Sequence, residues 1–240
     1  MVHFDIVTVF PDIIENYCNT SIIGRARKAE KVNISVHDLR SWTTDKHRTV
    51  DDRVFGGGAG MLLKVAPLYK AIQALSEKSV AKGLTPRVVA TVASGELFNQ
   101  HKAELMASST DVNYILLCGH YEGFDARVYE WVHEKLTIGP YILTGGELPA
   151  LIVIDSVTRL IPGVLGNSFS AQEETTFMPD QDGIAVLGEH PQFTSPAVFN
   201  FVDNNGTEQT RVVPEVLRSG NHKKIAEENQ KQRSKSRLAL

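Results

Sequence analysis

The chain has 240 residues, 42% hydrophobic and 22% charged, with 25 Lys and Arg against 28 Asp and Glu for a net charge of −3. These values fit one large globular domain, or one with a small appendage, and exclude disorder, collagen and coiled coil. Apolar runs broken by Gly, Asp or Glu predict no membrane span, the N-terminus has Asp5 inside its apolar run and no basic start, and Cys18 and Cys118 make neither a disulfide framework nor a paired metal motif, so a cytoplasmic protein is expected.

In chain order, 3–10 is rich in β-branched and aromatic residues and stops at Pro11, which predicts a buried strand and then a helix with Pro at its first position. The alternating VNISV at 32–36 predicts a second strand. A polar, glycine-rich loop follows at 45–60, too long for a simple connection. Leu68, Ile72 and Leu75 form a helical stripe within 65–78. Strands are expected at 87–92 and 114–118, helices at 97–106 and 128–133, and an extended segment at 136–143. Strands alternating with helices point to an α/β unit with a mostly parallel sheet. The stretch 147–161 is apolar on more than one face, which suits either a central helix of a monomer or a dimer interface. Gly, Ser, Asn, Gln and Thr dominate 163–182, the composition of a linker, and a helix is expected at 221–237. The layout is therefore a domain at 1–162, a linker at 163–182 and a small helical C-terminal domain at 183–240. From residue 211 to the end there are eight bases against three acids, +5, which on charge alone reads as a solvated helix and otherwise as an arm that meets a polyanion.

Glycines gather in three places: Gly56, Gly57, Gly58 and Gly60; Gly119 and Gly123; Gly139, Gly145 and Gly146. Glycine lets backbone approach a ligand closely. GGGAGMLL at 56–63 lacks the Lys-Ser/Thr ending of a phosphate loop, Val92 spoils a GxSxG elbow around Ser94, and the eight histidines show no tight metal spacing. Three such loops favour a preformed small-molecule pocket. Glu122, just after a buried strand, suits a cationic ligand or an ordinary helix N-cap.

The runs NTSIIGRAR (19–27), TTDKHRTVDDRVFGGGAGMLLK (43–64), LCGHYEGFDARV (117–128), IGPYILTGGELPALIVIDSVTRLIPGVLG (138–166), HPQFTSPAVF (190–199) and SGNHKKI (219–225) resemble the bacterial tRNA (guanine-N1)-methyltransferases of the SPOUT class. The resemblance spans nearly the whole chain. It implies a deep trefoil knot in the parallel sheet, a homodimer, S-adenosyl-L-methionine as cofactor and guanosine 37 of the tRNA anticodon loop as target. It places the cofactor on Thr91, Val92, Gly119, Glu122, Ile138, Gly139, Pro140, Tyr141, Ile142, Leu143, Gly145, Gly146 and Pro149, and tRNA contacts on His47, Arg48, Arg53 and Lys223. The reaction needs a general base for the guanine ring proton and a cation for the developing charge. By resemblance these are Glu174 and Arg159. It also suggests magnesium, for which the sequence has no dedicated carboxylate cluster.

Several positions depart from the family pattern. Glu174 stands where an aspartate is usual, next to Glu173, and one extra residue precedes Phe177. Val92-Ala93-Ser94-Gly95 replaces a Ser-Pro-Gln-Gly turn, and Pro140 an acidic residue. Gln192 and Ser195 replace His and Arg in the part that grips tRNA. The alternative expectation is a non-catalytic RNA-binding protein that keeps the fold.

Overall fold

The computed structural model describes residues 1–165 and 190–235, with side chains to residue 232. Glu173, Glu174 and most of the 163–182 linker lie outside these residues. The chain divides into two units, Met1–Ala171 and Gln172–Leu240.

In the first unit, β1 (Val2–Thr8), β2 (Val32–Asp38), β5 (Thr85–Leu97), β6 (Val112–Cys118) and β7 (Glu134–Thr137) form a sheet in the order β2-β1-β6-β5-β7. Every pair is parallel. Parallel strands are joined by crossovers that cover both faces, so the strands read as apolar runs rather than alternating ones. Successive residues of one strand accordingly enter two different cores. Ile6 and Leu116 pack with Ile14, Cys18, Ile154 and Val157, which belong to α1 (Pro11–Cys18) and α5 (Glu147–Thr158). Val7, Ile115 and Leu117 pack with Leu68, Ile72 and Leu75 of α3 (Val65–Ala81). The helices α2 (Ser21–Lys28) and α4 (Gln100–Ser108) complete the first face.

Pro11 opens α1 and the stripe of α3 faces the core, as expected. Elsewhere the boundaries differ. The loop at 45–60 holds β3 (Asp51–Arg53), which pairs antiparallel with β4 (Met61–Leu63) just beyond it. β5 continues to Leu97, so the expected helix at 97–106 begins only at Gln100, where Asn99 accepts a hydrogen bond from the Lys102 N–H at 2.9 Å. Residues Ala126–Trp131 form a 3-10 helix rather than the helix expected at 128–133, opened by the Asp125 carboxylate. β7 ends at Thr137, well short of the extended segment expected at 136–143, because Pro140 has no N–H to give a ladder and Thr137 turns its hydroxyl onto Gly139 O at 3.1 Å. α5 ends at Thr158 rather than Ile161. No helix among the described residues is long and apolar enough to cross a membrane.

Beside the α3 face, Asp5 is 6% exposed in mid-strand. Its carboxylate meets His37 Nε2 at 2.6 Å and accepts from Asn113 Nδ2 at 2.6 Å, and Asn113 also donates to Ser79 Oγ at 2.7 Å. Burial pushes the Asp5 carboxyl up, but the hydrogen bonds from His37 and Asn113 outweigh it and hold the group below its usual value of 3.8. A carboxyl depressed in the folded state contributes stability that is complete above the unfolded value and is lost as pH falls through the folded one. Wild-type urea midpoints are therefore expected to drop below about pH 4, more steeply than those of Asp5→Asn. Parallel midpoint-versus-pH curves for the two proteins would remove Asp5 from the acid response.

The second unit is not helical throughout. β8 (Val198–Val202) and β9 (Glu208–Val212) form an antiparallel hairpin, followed by α6 (Glu215–Arg218) and α7 (His222–Lys235). The hairpin turns at Asp203, whose Oδ1 accepts from the N–H groups of Asn205 at 3.0 Å and Thr207 at 2.9 Å, with Gly206 at φ 78°. That is the chemistry of an Asx turn.

Candidate active site

Three loops leave the carboxyl ends of neighbouring strands and meet around one cavity. In the first, residues 92–95 bulge out of β5, since Thr91 and Glu96 both pair with Leu136. The second is 119–123 after β6, and the third joins Thr137 to α5. The last two are stitched together: Gly146 N–H donates to Gly119 O at 2.7 Å and His120 bridges Gly145. Thr91 Oγ1 donates to Leu117 O at 3.0 Å, fixing the end of β5 against β6. Gly146 must be glycine here. A Cβ on it would strike Thr91 Oγ1 and lie 2.6 Å from Gly119 N and 2.9 Å from Cys118 Cα.

The cavity has a volume of about 370 Å³, within the range of small-molecule sites. Thr91, Val92, Gly119, Glu122, Ile138, Tyr141, Ile142, Leu143, Gly145, Gly146 and Pro149 line it. Gly139 and Pro140 do not: Gly139 is buried, Pro140 is exposed, and Tyr141 turns back over them with its N–H on Gly139 O at 2.9 Å and its hydroxyl on Ile138 O at 3.3 Å. The glycine run at 56–60 contributes less than its composition suggests. Gly56, Gly57 and Gly58 stand clear of other atoms, whereas Gly60, at φ 90°, lies against the Glu122 side chain, which a Cβ would overlap. β4 is laid along the cavity wall, with Glu122 N–H on Met61 O at 3.0 Å and Leu63 N–H on Gly123 O at 2.9 Å.

Two residues of this region are not among the sequence candidates, and of these His120 lines the cavity. Glu147, the first residue of α5, is 4% exposed; its Oε1 accepts from Thr8 Oγ1 at 2.7 Å, and that hydroxyl in turn accepts the Phe10 N–H at 2.9 Å. A carboxylate at a helix N-terminus is favoured by the helix dipole. His120 lies edge-on to the rings of Phe10 and Tyr121, and its buried Nδ1 has no hydrogen-bond partner among the described residues. Both look like ordinary members of apolar or aromatic runs in sequence. An acidic residue opening an otherwise apolar helix is the signal that could have marked Glu147.

Burial, and then the nearby Glu147 charge, push the Cys118 thiol well above its usual value, and burial pushes Cys18 up to about 11. The thiolate is the reactive form, so both cysteines are inert in the folded protein. Iodoacetamide at neutral pH is expected to label neither one in the native state and both in urea; mass spectrometry showing native modification at Cys118 would contradict this.

The remaining candidates of the first unit, Arg159, His47, Arg48 and Arg53, are not among the residues that line the cavity. Arg159 caps α5, half-buried, with its N–H on Asp155 O at 3.1 Å. It stands ten residues beyond Pro149, a rise of about 15 Å along the axis. His47, Arg48 and Arg53 are exposed around the β3 hairpin; Arg48 pairs with Asp38 at 3.7 Å. Lys223 is exposed in the second unit.

Across residues 2–239 the chain matches the family described as tRNA (guanine-1)-methyltransferase TrmD. The chain belongs to the tRNA (guanine-1)-methyltransferase family. It is similar to a protein of Enterococcus faecalis named tRNA (guanine-N(1)-)-methyltransferase, 42% identical over 93% of this chain and 82% of that one. Proteins of the same name from Heliobacterium modesticaldum and Bacillus cereus are 42% identical over 92% and 76%, and 44% identical over 93% and 83%, of this chain and of the relative. The five-stranded parallel sheet and the cavity at its strand ends are thus those of a methyltransferase family member.

Proposed function

We propose that this chain is a cytoplasmic, homodimeric SPOUT methyltransferase, knotted at its cofactor site, that methylates N1 of guanosine 37 in the tRNA anticodon loop with S-adenosyl-L-methionine. The observation that carries this reading is the cavity itself: three loops at adjacent parallel strand ends, pinned by Gly146, in a chain that matches the family end to end. The residues fit the cofactor. Residues 91–92, 119, 138 and 141–146 line a space of suitable volume, Glu122 adds a carboxylate to that lining, and His120 Nδ1 has hydrogen-bonding capacity to spare. When bound, the cofactor supplies an activated methyl group on a sulfonium. Among the described residues no His, Cys, Asp and Glu cluster gathers in a way that could hold magnesium.

The guanine N1–H must lose its proton as the new N–C bond forms, and negative charge grows on the neighbouring carbonyl oxygen. Glu174 takes the proton and Arg159 meets the charge. Arg159 stands at the end of α5 opposite Pro149 and is not among the residues lining the cavity, which supports a site completed by a second copy. The outer stripe of α5 supports the same reading: Leu148 is 54% and Ile152 43% exposed, beside Ile13 and Tyr17 of α1, and Tyr17 reaches across to Asp155. Two apolar stripes facing water are what a self-complementary interface covers.

The test is incubation with labelled S-adenosyl-L-methionine and a tRNA transcript carrying guanosine at positions 36 and 37. Methyl incorporation lost in Arg159→Ala is expected. Binding without incorporation would instead fit an RNA-binding protein that has kept the fold, and a fully active monomer by light scattering would defeat the shared site.

A further inference from the structure

β8 and β9 carry an aromatic surface with no part in the chemistry above. Phe199 and Phe201 lie two apart on one strand and so project to the same face. Their rings stack at an interplanar angle of 17° with centroids 5.7 Å apart, and Phe199 is 55% exposed. Across the ladder Arg211 stands opposite Phe199, with its guanidinium 5.4 Å from the Phe201 ring centre. The hairpin's other face mixes Val198, Val202 and Val212, each about half exposed or more, with Asn200, Glu208 and Thr210. Paired flat rings with a cation at their edge suit a flat π system tethered to a negative charge.

We infer that Phe199, Phe201 and Arg211 form a stacking platform for an unpaired nucleotide of the RNA substrate. Base stacking on phenyl rings is tolerant of sequence, and an adjacent guanidinium adds cation–π and phosphate attraction. Bases within a stem have both faces covered by their neighbours, so only a nucleotide outside a duplex can lie on the platform. Arg211 also opens the stretch of the sequence in which eight bases outnumber three acids, a charge suited to a polyanion. The inference rests on the RNA methyltransferase reading and adds to it the type of contact that the second unit makes.

The experiment uses the full-length protein and a double variant, Phe199→Leu with Phe201→Leu, which keeps apolar bulk and removes both π faces. Affinity for the tRNA transcript, for a single-stranded heptanucleotide and for a blunt RNA duplex is measured at one fixed salt concentration, alongside calorimetry with S-adenosyl-L-methionine and light scattering. The variant is expected to lose about 5- to 100-fold in affinity for tRNA and for the heptanucleotide, with duplex binding, cofactor affinity and oligomeric state unchanged. The corresponding Phe→Tyr pair, which restores the rings, is expected to bind as wild type, so a loss caused by misfolding alone is recognisable. Unchanged tRNA affinity in the leucine variant overturns the platform, as does a change of oligomeric state with RNA binding intact, which would make this face a protein interface. A wild-type protein that binds RNA but transfers no methyl group defeats the enzyme reading while leaving the platform measurable; one that binds no RNA defeats both.

Discussion

Glu174→Ala is expected to lower kcat for methyl transfer to a guanosine-37 transcript by about 10²- to 10⁴-fold, the usual worth of a positioned general base. The affinities for cofactor and for tRNA should stay close to wild type, because a general base acts on a proton in flight and not on either ligand at rest. Single-turnover measurement with labelled cofactor separates these quantities. Arg159→Ala should lose about 10²- to 10³-fold in the same assay, as removal of one donor to a developing oxyanion does. Glu174 is one methylene longer than the aspartate usual in the family, so Glu174→Asp tests reach directly: activity at or above wild type would mean that the shorter acid still finds the ring proton. Should Glu173→Ala abolish transfer and Glu174→Ala leave it intact, the base is the preceding residue.

The second large effect is expected at Gly146. Its added Cβ would meet two backbone atoms of the neighbouring segment, Gly119 N at 2.6 Å and Cys118 Cα at 2.9 Å, besides the Thr91 hydroxyl. Backbone cannot rotate away as a flexible side chain can. Relief requires α5 to lift from the ends of β5 and β6, which opens the Gly146–Gly119 hydrogen bond and reshapes the cavity. Overpacking of this kind costs about 1–3 kcal/mol or more, so Gly146→Ala should lower the melting temperature and weaken cofactor binding at least tenfold by calorimetry. Gly57→Ala is the matched control. It has open space around it but sits at φ 81°, so it should cost about 1 kcal/mol of local strain and leave the cofactor affinity unchanged. Equal effects at both positions would show that conformation rather than space decides.

The parts of the fold that were legible in the sequence are those where one period dominates. The Leu68, Ile72 and Leu75 stripe repeats at helical spacing, and the short apolar runs of β1 and β6 are bounded by polar or turn residues, so each declares its element. β3 and β4 are three residues each, held by a hairpin and by the loop at 122–125, and nothing local marks them as strands. The β8–β9 hairpin did have a local signal, the Asp203-Asn204-Asn205-Gly206 turn between VFNFV and EQTRV, but polar residues in β9 hide its alternation. The glycine clusters pointed to a pocket, and the structure brings to it Gly119 and Gly123, then Gly145 and Gly146 without Gly139, and the first cluster only through Gly60 against Glu122. Which loops meet is decided by strand order, and strand order is not written in any one segment. The particular residues of the site came from long motif runs, while Glu147 and His120 emerge only once α5 and the end of β6 lie side by side.

The seclusion of both thiols has a practical use. Phe55, 97% exposed at the tip of the β3–β4 hairpin, can be exchanged for cysteine without touching the interior. Because Cys18 and Cys118 are buried and held neutral, a maleimide dye would attach at that one place. The protein is in effect already stripped of competing labels, and a fluorophore there would report in real time on whatever meets the loop between β3 and β4.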